Sequence, residues 1–316
     1  MEKAGKTDVL IGIEPTGHYW FTFEKFIRSK GMRLVFVNPF AVKRLKELDD
    51  NSPKKTDLKD PKTIGKLVVD GRYCYPYIPE GIYQDLREVV SSRDRIMKEH
   101  VIACNRIQRW LKIYFPEYVG MKKAMSLVEA AHNSVGIEGE NGARTELKLL
   151  IEDYRTKQTQ LEKVTQSMTE LTVQVPYAGK LLAIKGIGIV TVAGFLAEAG
   201  DIRRFESPKQ IQKLAGLELV ENSSGKKKGQ TSISKRGRKK LRKLLFQVVL
   251  PLIAKNQEFG EIYDYYHDRL QNPLKGRQAM IAVSCKLIRV FYAILKKGTD
   301  YDAEKMLKDI RRPKAA

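Results

Sequence analysis

Metal-ligand cysteine spacing is missing from this chain of 316 residues: Cys74, Cys104 and Cys285 stand far apart, and the four histidines do not cluster with them. That argues against a structural zinc site and against a disulfide framework. Long apolar runs are missing too. The longest, from Leu244 to Ala254, is interrupted by Gln247 and Pro251 and falls short of the roughly 18 apolar residues that a bilayer crossing needs. The N-terminus shows no basic region leading into an apolar core and a small-residue cleavage site, so no secretion signal is read and the expectation is a cytoplasmic protein without a membrane partner. No internal repeat or low-complexity segment is evident, and the length suits two domains and a connector. Acidic residues are scarce. There are 37 of them against 58 lysines and arginines, a net charge of +21 that favours polyanionic partners.

The scarcity is sharpest between Gly225 and Lys243, where ten lysines and arginines occur with no acid among them. Each cation that neutralises a phosphate releases counterions, so Lys226, Lys227, Lys228, Lys235, Arg236, Arg238 and Lys239 are candidates for a nucleic-acid backbone; the alternative is a solvated basic face. Directly before them stands the hydroxyl pair Ser223-Ser224. A hydroxyl set against such charge suggests phosphate chemistry, because cations stabilise a phosphoryl transition state, whereas an ordinary loop serine is only a turn former.

In the N-terminal part, Asp8 to Glu14 and Arg33 to Asn38 read as buried β-strands, with a helix from His18 to Lys30 between them that stops at Gly31. A strand-helix-strand unit of this kind pairs its strands in parallel and gathers ligands at their carboxyl ends, where Glu14 sits. Asp57 and Asp60, three apart before a helical stretch that closes at Gly71, fall on one side of a turn. Three carboxylates converging on one strand-end crevice would suit Mg2+, so Glu14, Asp57 and Asp60 are the candidate metal ligands. Asp60 followed by Pro61 also has the look of a helix cap with proline at the first helical position, which leaves Asp57 unexplained.

Two long helical stretches follow, Tyr83 to about Tyr114 and Thr145 to Val175. The second carries the stripe Leu147, Ile151, Tyr154, Leu161, Val164, Met168 and Leu171, which fits an antiparallel hairpin or a dimerising coiled coil, and His132 to Gly142 reads as the loop between. Tyr73, Tyr75, Tyr77, Trp110 and Tyr114 could stack bases or serve as core. Farther on, Ile184-Lys185-Gly186-Ile187-Gly188 between two helical segments looks like the turn of a helix-hairpin-helix. Its glycines permit a tight turn, and the amides opening the second helix can receive a phosphate without reading sequence, which makes Lys185, Gly186 and Gly188 nucleic-acid candidates.

Ile13-Glu14-Pro15-Thr16-Gly17-His18-Tyr19, Asn38-Pro39, Lys55 to Asp60, Gly186-Ile187-Gly188, Leu214 to Leu217, Ser223-Ser224-Gly225 and Ser234-Lys235-Arg236-Gly237, in that order, resemble the DEDD-type insertion-sequence transposases. That family includes the Piv-like DNA invertases and the bridge-RNA-guided recombinases. The resemblance covers nearly the whole chain. It implies an α/β RuvC-like (RNase H-like) catalytic domain over residues 1–80, a helical coiled-coil connector over 81–175, and a mainly helical transposase domain with a helix-hairpin-helix over 176–316. By motif, Glu14, Asp57 and Asp60 correspond to the second, third and fourth acids of a metal-binding tetrad, and Ser224, with Ser223 the close alternative, to a nucleophilic serine. The implied partners are donor and target DNA, a structured guide RNA and further copies of the chain as a dimer or tetramer.

One departure stands out. The family's first Asp lies on a strand ahead of the one that ends in Glu14, and only Met1 to Thr7 precede that strand here. Asp8 is no substitute, since it lies on the same strand as Glu14 about 20 Å away, at about 3.3 Å per residue. The sequence alone therefore reads as a family member truncated at its N-terminus, with a non-catalytic DNA- and RNA-binding remnant as the alternative function.

Overall fold

The structure, a computed structural model, describes residues 8–49, 59–116, 141–221, 231–308 and 310, and the chain divides into two compact units, 1–78 and 79–316.

In the first unit β1 (Leu10–Ile13) and β2 (Arg33–Val37) run parallel, from Leu10 opposite Arg33 to Ile13 opposite Phe36, with α1 (Tyr19–Ser29) as the crossover. The β-branched and apolar runs and the Gly31 stop produce the unit that the periodicity predicts. A short β3 (Tyr73–Cys74) joins the other edge of β2 antiparallel, with Tyr73 opposite Val37, giving the order β1-β2-β3. Between β2 and β3 come α2 (Pro39–Asp49) and α3 (Lys59–Val69). Asn38 opens α2 as its cap, its side chain accepting the Phe40 N–H at 2.9 Å, with Pro39 at the first helical position. The expected cap at Asp60 is corrected: α3 is already helical at Lys59, so Asp60 and Pro61 lie inside its first turn, where proline costs no hydrogen bond. Ile64, Leu67 and Val68 of α3 pack with Val37 and Val42. That face comes down on Gly12, where a Cβ would stand 2.4 Å from Val68 Cγ2.

In the second unit α4 (Ile82–Tyr114) and α5 (Asn141–Gln174) form an antiparallel hairpin. Three pairings fix its register: Arg93 donates to Thr165 Oγ1 at 3.2 Å, Lys157 to Glu99 at 2.8 Å, and Trp110 Nε1 to the Ala143 carbonyl at 3.1 Å. Ile107, Trp110, Leu111, Leu147 and Ile151 close its far end, so the apolar stripe is used within the chain and Trp110 is core. Asn141 and Gly142, expected in a loop, open α5 instead; weak helix formers are least costly in a first turn.

The base of this hairpin, at Leu86 and Met168, enters one large core with the C-terminal helices. These are α6 (Ala178–Leu181), α7 (Ile189–Ala199), a 3-10 turn (Ile202–Arg204), α8 (Pro208–Ala215), α9 (Lys239–Lys255), α10 (Gln257–Asp268), α11 (Gly276–Lys297) and α12 (Ala303–Leu307). Between α8 and α9 the strands β4 (Leu219–Glu221) and β5 (Thr231–Ile233) pair antiparallel. Helix α7 is buried from Val192 to Ala197, and its Phe195 meets Phe291 of α11 edge-on at 5.0 Å. Contrary to the reading of apolar runs, α11 is long and apolar enough to cross a membrane. Half of that window is buried, with Val283, Leu287 and Phe291 in the core, so its apolarity is explained by packing.

The Gly12 contact yields a stability prediction. Gly12→Ala is expected to destabilise the first unit by about 1–3 kcal/mol through overpacking, and Val68→Ala in the same background to recover most of it. Equal losses in the single and double variants, measured by urea unfolding, would refute the contact.

Candidate nucleic-acid interface

The glycine turn between α6 and α7 is built as its composition requires. Gly186 adopts φ +95°, and a Cβ there would press on Leu252 Cδ1 at 3.3 Å and Leu252 Cα at 3.4 Å, so the turn lies directly on the end of α9. Gly188 caps α7 without a side chain: its carbonyl accepts the Thr191 and Val192 N–H groups, while Lys185 and Gly188 are exposed. The opening amides of α7 therefore have no side-chain partner. Asn256, which the sequence reading missed, locks the assembly. Its Oδ1 accepts the Phe259 N–H at 3.1 Å to cap α10, and its Nδ2 donates to the Lys185 carbonyl at 3.3 Å. Only 3% of Asn256 is exposed, so each of these groups would be costly to leave unmade.

The segment after β5 is held just as closely. Lys235, at φ +53°, donates its backbone N–H to the Gly216 carbonyl, and Arg238 donates its own to the Leu214 carbonyl. Gly237 admits no side chain, because a Cβ would stand 2.5 Å from the Leu214 carbonyl oxygen. Arg242 donates to the Ala215 and Lys235 carbonyls at 2.9 and 3.2 Å, satisfying the C-terminus of α8. Arg238 departs from its expected role. It donates to the Glu198 carbonyl at 2.9 Å and pairs with the Glu198 carboxylate at 3.5 Å, tying the start of α9 to the end of α7. Its charge is committed inside the fold.

Lys235, Arg236 and Lys239 remain exposed, joined by Lys240 and Lys243 on the outer face of α9. Three lysines in the first turns of a helix oppose its dipole, and α9 has no acid there and no side-chain cap. A bound anion would relieve that repulsion, so this end of α9 is a candidate polyanion contact. Ser223, Ser224, Lys226, Lys227 and Lys228 fall between β4 and β5, outside the described residues.

The glycine turn and the cationic end of α9 are not brought together. One lies against the C-terminal end of α9 and the start of α7, the other against the end of α7. The 11 residues of α7 separate them by about 16 Å at about 1.5 Å per residue.

In the first unit, Glu14 directly follows β1, at the carboxyl end of the parallel pair. Asp60 is ion-paired with Lys46 of α2. Helix α3 leads into β3, which enters the sheet opposite Val37 at that same carboxyl end. Among the described residues no three His, Cys, Asp or Glu side chains are gathered closely enough to hold a metal ion, and Asp57 lies outside those residues.

Two family descriptions match this chain. Residues 2–116 match the DEDD transposases of the IS110 type, and residues 178–264, which carry the glycine turn, the 234–237 segment and the start of α9, match the transposase IS116/IS110/IS902 family. The chain belongs to this family of insertion-sequence transposases. It is 25% identical over 305 residues to a probable family 20 transposase of Pseudomonas aeruginosa, covering 92% of this chain and 85% of that protein. It is 26% identical to the transposase for insertion sequence element IS1328 of Yersinia enterocolitica, over 66% of this chain and 61% of the relative. It is 30% identical to the pilin gene-inverting protein of Moraxella lacunata, over 46% of this chain and 45% of that one. Within the transposase, the described nucleic-acid candidates all fall inside the match at 178–264, and Glu14, Asp57 and Asp60 inside the match at 2–116.

Single substitutions separate structural from binding cations. Arg238→Gln is expected to cost about 1–3 kcal/mol of stability, by leaving the mostly buried Glu198 carboxylate without its partner, and to leave the slope of log K against log salt for duplex DNA unchanged. Lys239→Gln is expected to lower that slope by about 0.9 and to leave the melting temperature unchanged or raised by at most about 3 °C, since it removes a charge opposed to the helix dipole. The reverse pattern would show that the two roles have been exchanged.

Proposed function

We propose that the chain is a DNA recombinase of an insertion sequence that joins DNA through a covalent serine link. The observation that carries this reading is the exposed cation cluster Lys235, Arg236 and Lys239, which begins two residues after the strand pair that brackets Ser223 and Ser224. Ser224 Oγ attacks the phosphorus of a phosphodiester. One P–O ester bond breaks as the Ser–O–P bond forms; the serine proton passes to a base, and the departing oxygen takes up a proton as a hydroxyl. The phosphodiester is conserved on the serine, so a second hydroxyl can reverse the step and join new ends without an external energy source. The cations stabilise the charge that develops on the phosphoryl oxygens.

The proposal extends to the fold, the partners and the cofactor. The parallel β1-β2 pair with α1 as crossover supports a RuvC-like first domain, and the glycine turn supports a helix-hairpin-helix. A structured guide RNA and a dimer or tetramer of the chain follow from the family resemblance. Magnesium, when bound, supplies charge neutralisation at phosphate. Glu14, Asp57 and Asp60 are the residues that would hold it. The exposed cations by themselves would equally serve a second reading, a chain that binds nucleic acid without cutting it.

The decisive measurement is the protein-DNA adduct formed on the element's own termini with its flanking RNA and magnesium. Ser224→Ala is expected to abolish the adduct while DNA affinity stays within about threefold, since one surface hydroxyl contributes about 1 kcal/mol or less. An adduct that survives Ser224→Ala and disappears in Ser223→Ala moves the nucleophile by one residue. Survival in both removes the serine mechanism, and no adduct from the unaltered chain favours the binding-only reading.

A further inference from the structure

A groove of about 530 Å3 lies between one face of α11 and the segment that runs from Thr299 into α12. Its floor is apolar, formed by Val290, Ala293 and Met306, with Tyr301 as a half-buried wall. Lys286 and Arg289 on α11 and Lys305 on α12 line it with positive charge. Lys286, Arg289, Val290 and Ala293 share this face because they recur at three- and four-residue steps.

Two carboxylates also line the groove, and both are committed elsewhere. Asp300 pairs with Lys180 at 2.8 Å, and Asp302 caps α12 by accepting the Lys305 N–H at 2.9 Å. Arg289 and Lys305 have no carboxylate partner among the described residues. Burial and the neighbouring Glu258 push the Tyr301 phenol up to about 12, so this wall adds no negative charge at neutral pH. The net character is an apolar floor beneath a cationic rim, and the volume falls within the roughly 300–1,000 Å3 of ligand-sized sites.

We propose that this groove seats one nucleotide of a single-stranded nucleic acid, its base on the Val290, Ala293 and Met306 floor and its phosphate between Arg289 and Lys305. A base stacked in a duplex cannot reach an apolar floor, whereas an unstacked base can, and a cation beside an apolar or aromatic surface is the combination that holds single strands. The proposal rests on the reading that the second unit binds nucleic acid, and it adds a surface distinct from the cationic end of α9.

The test uses the full chain, fluorescein-labelled DNA and RNA single strands of about twelve nucleotides, and a DNA duplex of about twenty base pairs. Arg289→Gln with Lys305→Gln is expected to weaken single-strand binding about tenfold and to flatten the salt slope by about 0.7, the value for one neutralised phosphate on a single strand. Ala293→Phe, which fills the floor without changing charge, should weaken the same strands severalfold. Duplex affinity should stay within about twofold in both variants, with thermal melts confirming the fold. A loss larger for RNA or for DNA identifies which strand is held. Single-strand affinity unchanged in both variants, or duplex affinity falling equally, would overturn the groove. The companion variant Lys235→Gln, Arg236→Gln, Lys239→Gln reports on the other surface: if it leaves duplex binding intact while the groove variants lose single strands, the α9 contact fails and the groove stands.

Discussion

Helix α9 has to satisfy two opposing demands, and much of the second unit depends on how it does so. Its inner face, Leu241, Leu245, Val248, Val249 and Leu252, is buried in the core. Its outer face and first turn carry Lys239, Lys240 and Lys243 against the positive end of the helix dipole. Repulsion of this kind costs on the order of 0.3–1 kcal/mol per charge, while burying each large apolar side chain contributes roughly 1.5–3 kcal/mol. Burial wins, so the cations are held in a crowded arrangement that an isolated helix would avoid. Arg238 and Arg242 add to this by bonding the start of α9 to the carbonyls that end α7 and α8.

The other end of α9 is coupled to the glycine turn through Asn256. One side chain caps α10 and bonds the Lys185 carbonyl, so the opening of α7 is set by the corner between α9 and α10. The antiparallel pairing of α7 with α9 then makes the separation of the two candidate phosphate sites a matter of helix length. A backbone ligand that touches both must extend several nucleotides. Contacts to a nucleic-acid backbone at these places would provide position and affinity and carry no sequence information directly.

Elements defined by strong periodicity were legible in the sequence. The parallel pair with its crossover helix, the helical hairpin from Ile82 to Gln174 and the glycine turn all stand where the apolar spacing puts them. Side-chain partners were not legible, because composition reports charge and not what the charge faces. Arg238 and Lys239 are neighbours in one basic run, yet one is bonded to Glu198 and the other is exposed. Asn256 ahead of Gln257 and Glu258 has the form of a helix cap, but nothing in the sequence points to its second bond, to the Lys185 carbonyl. Helix α11 misleads in the opposite sense: its partly buried outer face and its buried inner face are both apolar enough to mask the amphipathic pattern.

The position of Asp60 follows from topology more than from the acid itself. After β2 the chain leaves the carboxyl end of the sheet in α2 and must return to that end to place Tyr73 opposite Val37. Helices α2 and α3 therefore run as an outward and a returning arm, packed on each other through Val42 and Leu67. The residue that opens the returning arm lies beside the residues that close the outward one, and Lys46 meets Asp60 there. Gly12 fixes the second arm on the sheet by admitting Val68. What holds α3, and with it Asp60, is thus the helix packing at Gly12, with the Lys46 pair a secondary term, since a partly exposed pair of this kind contributes no more than about 1 kcal/mol.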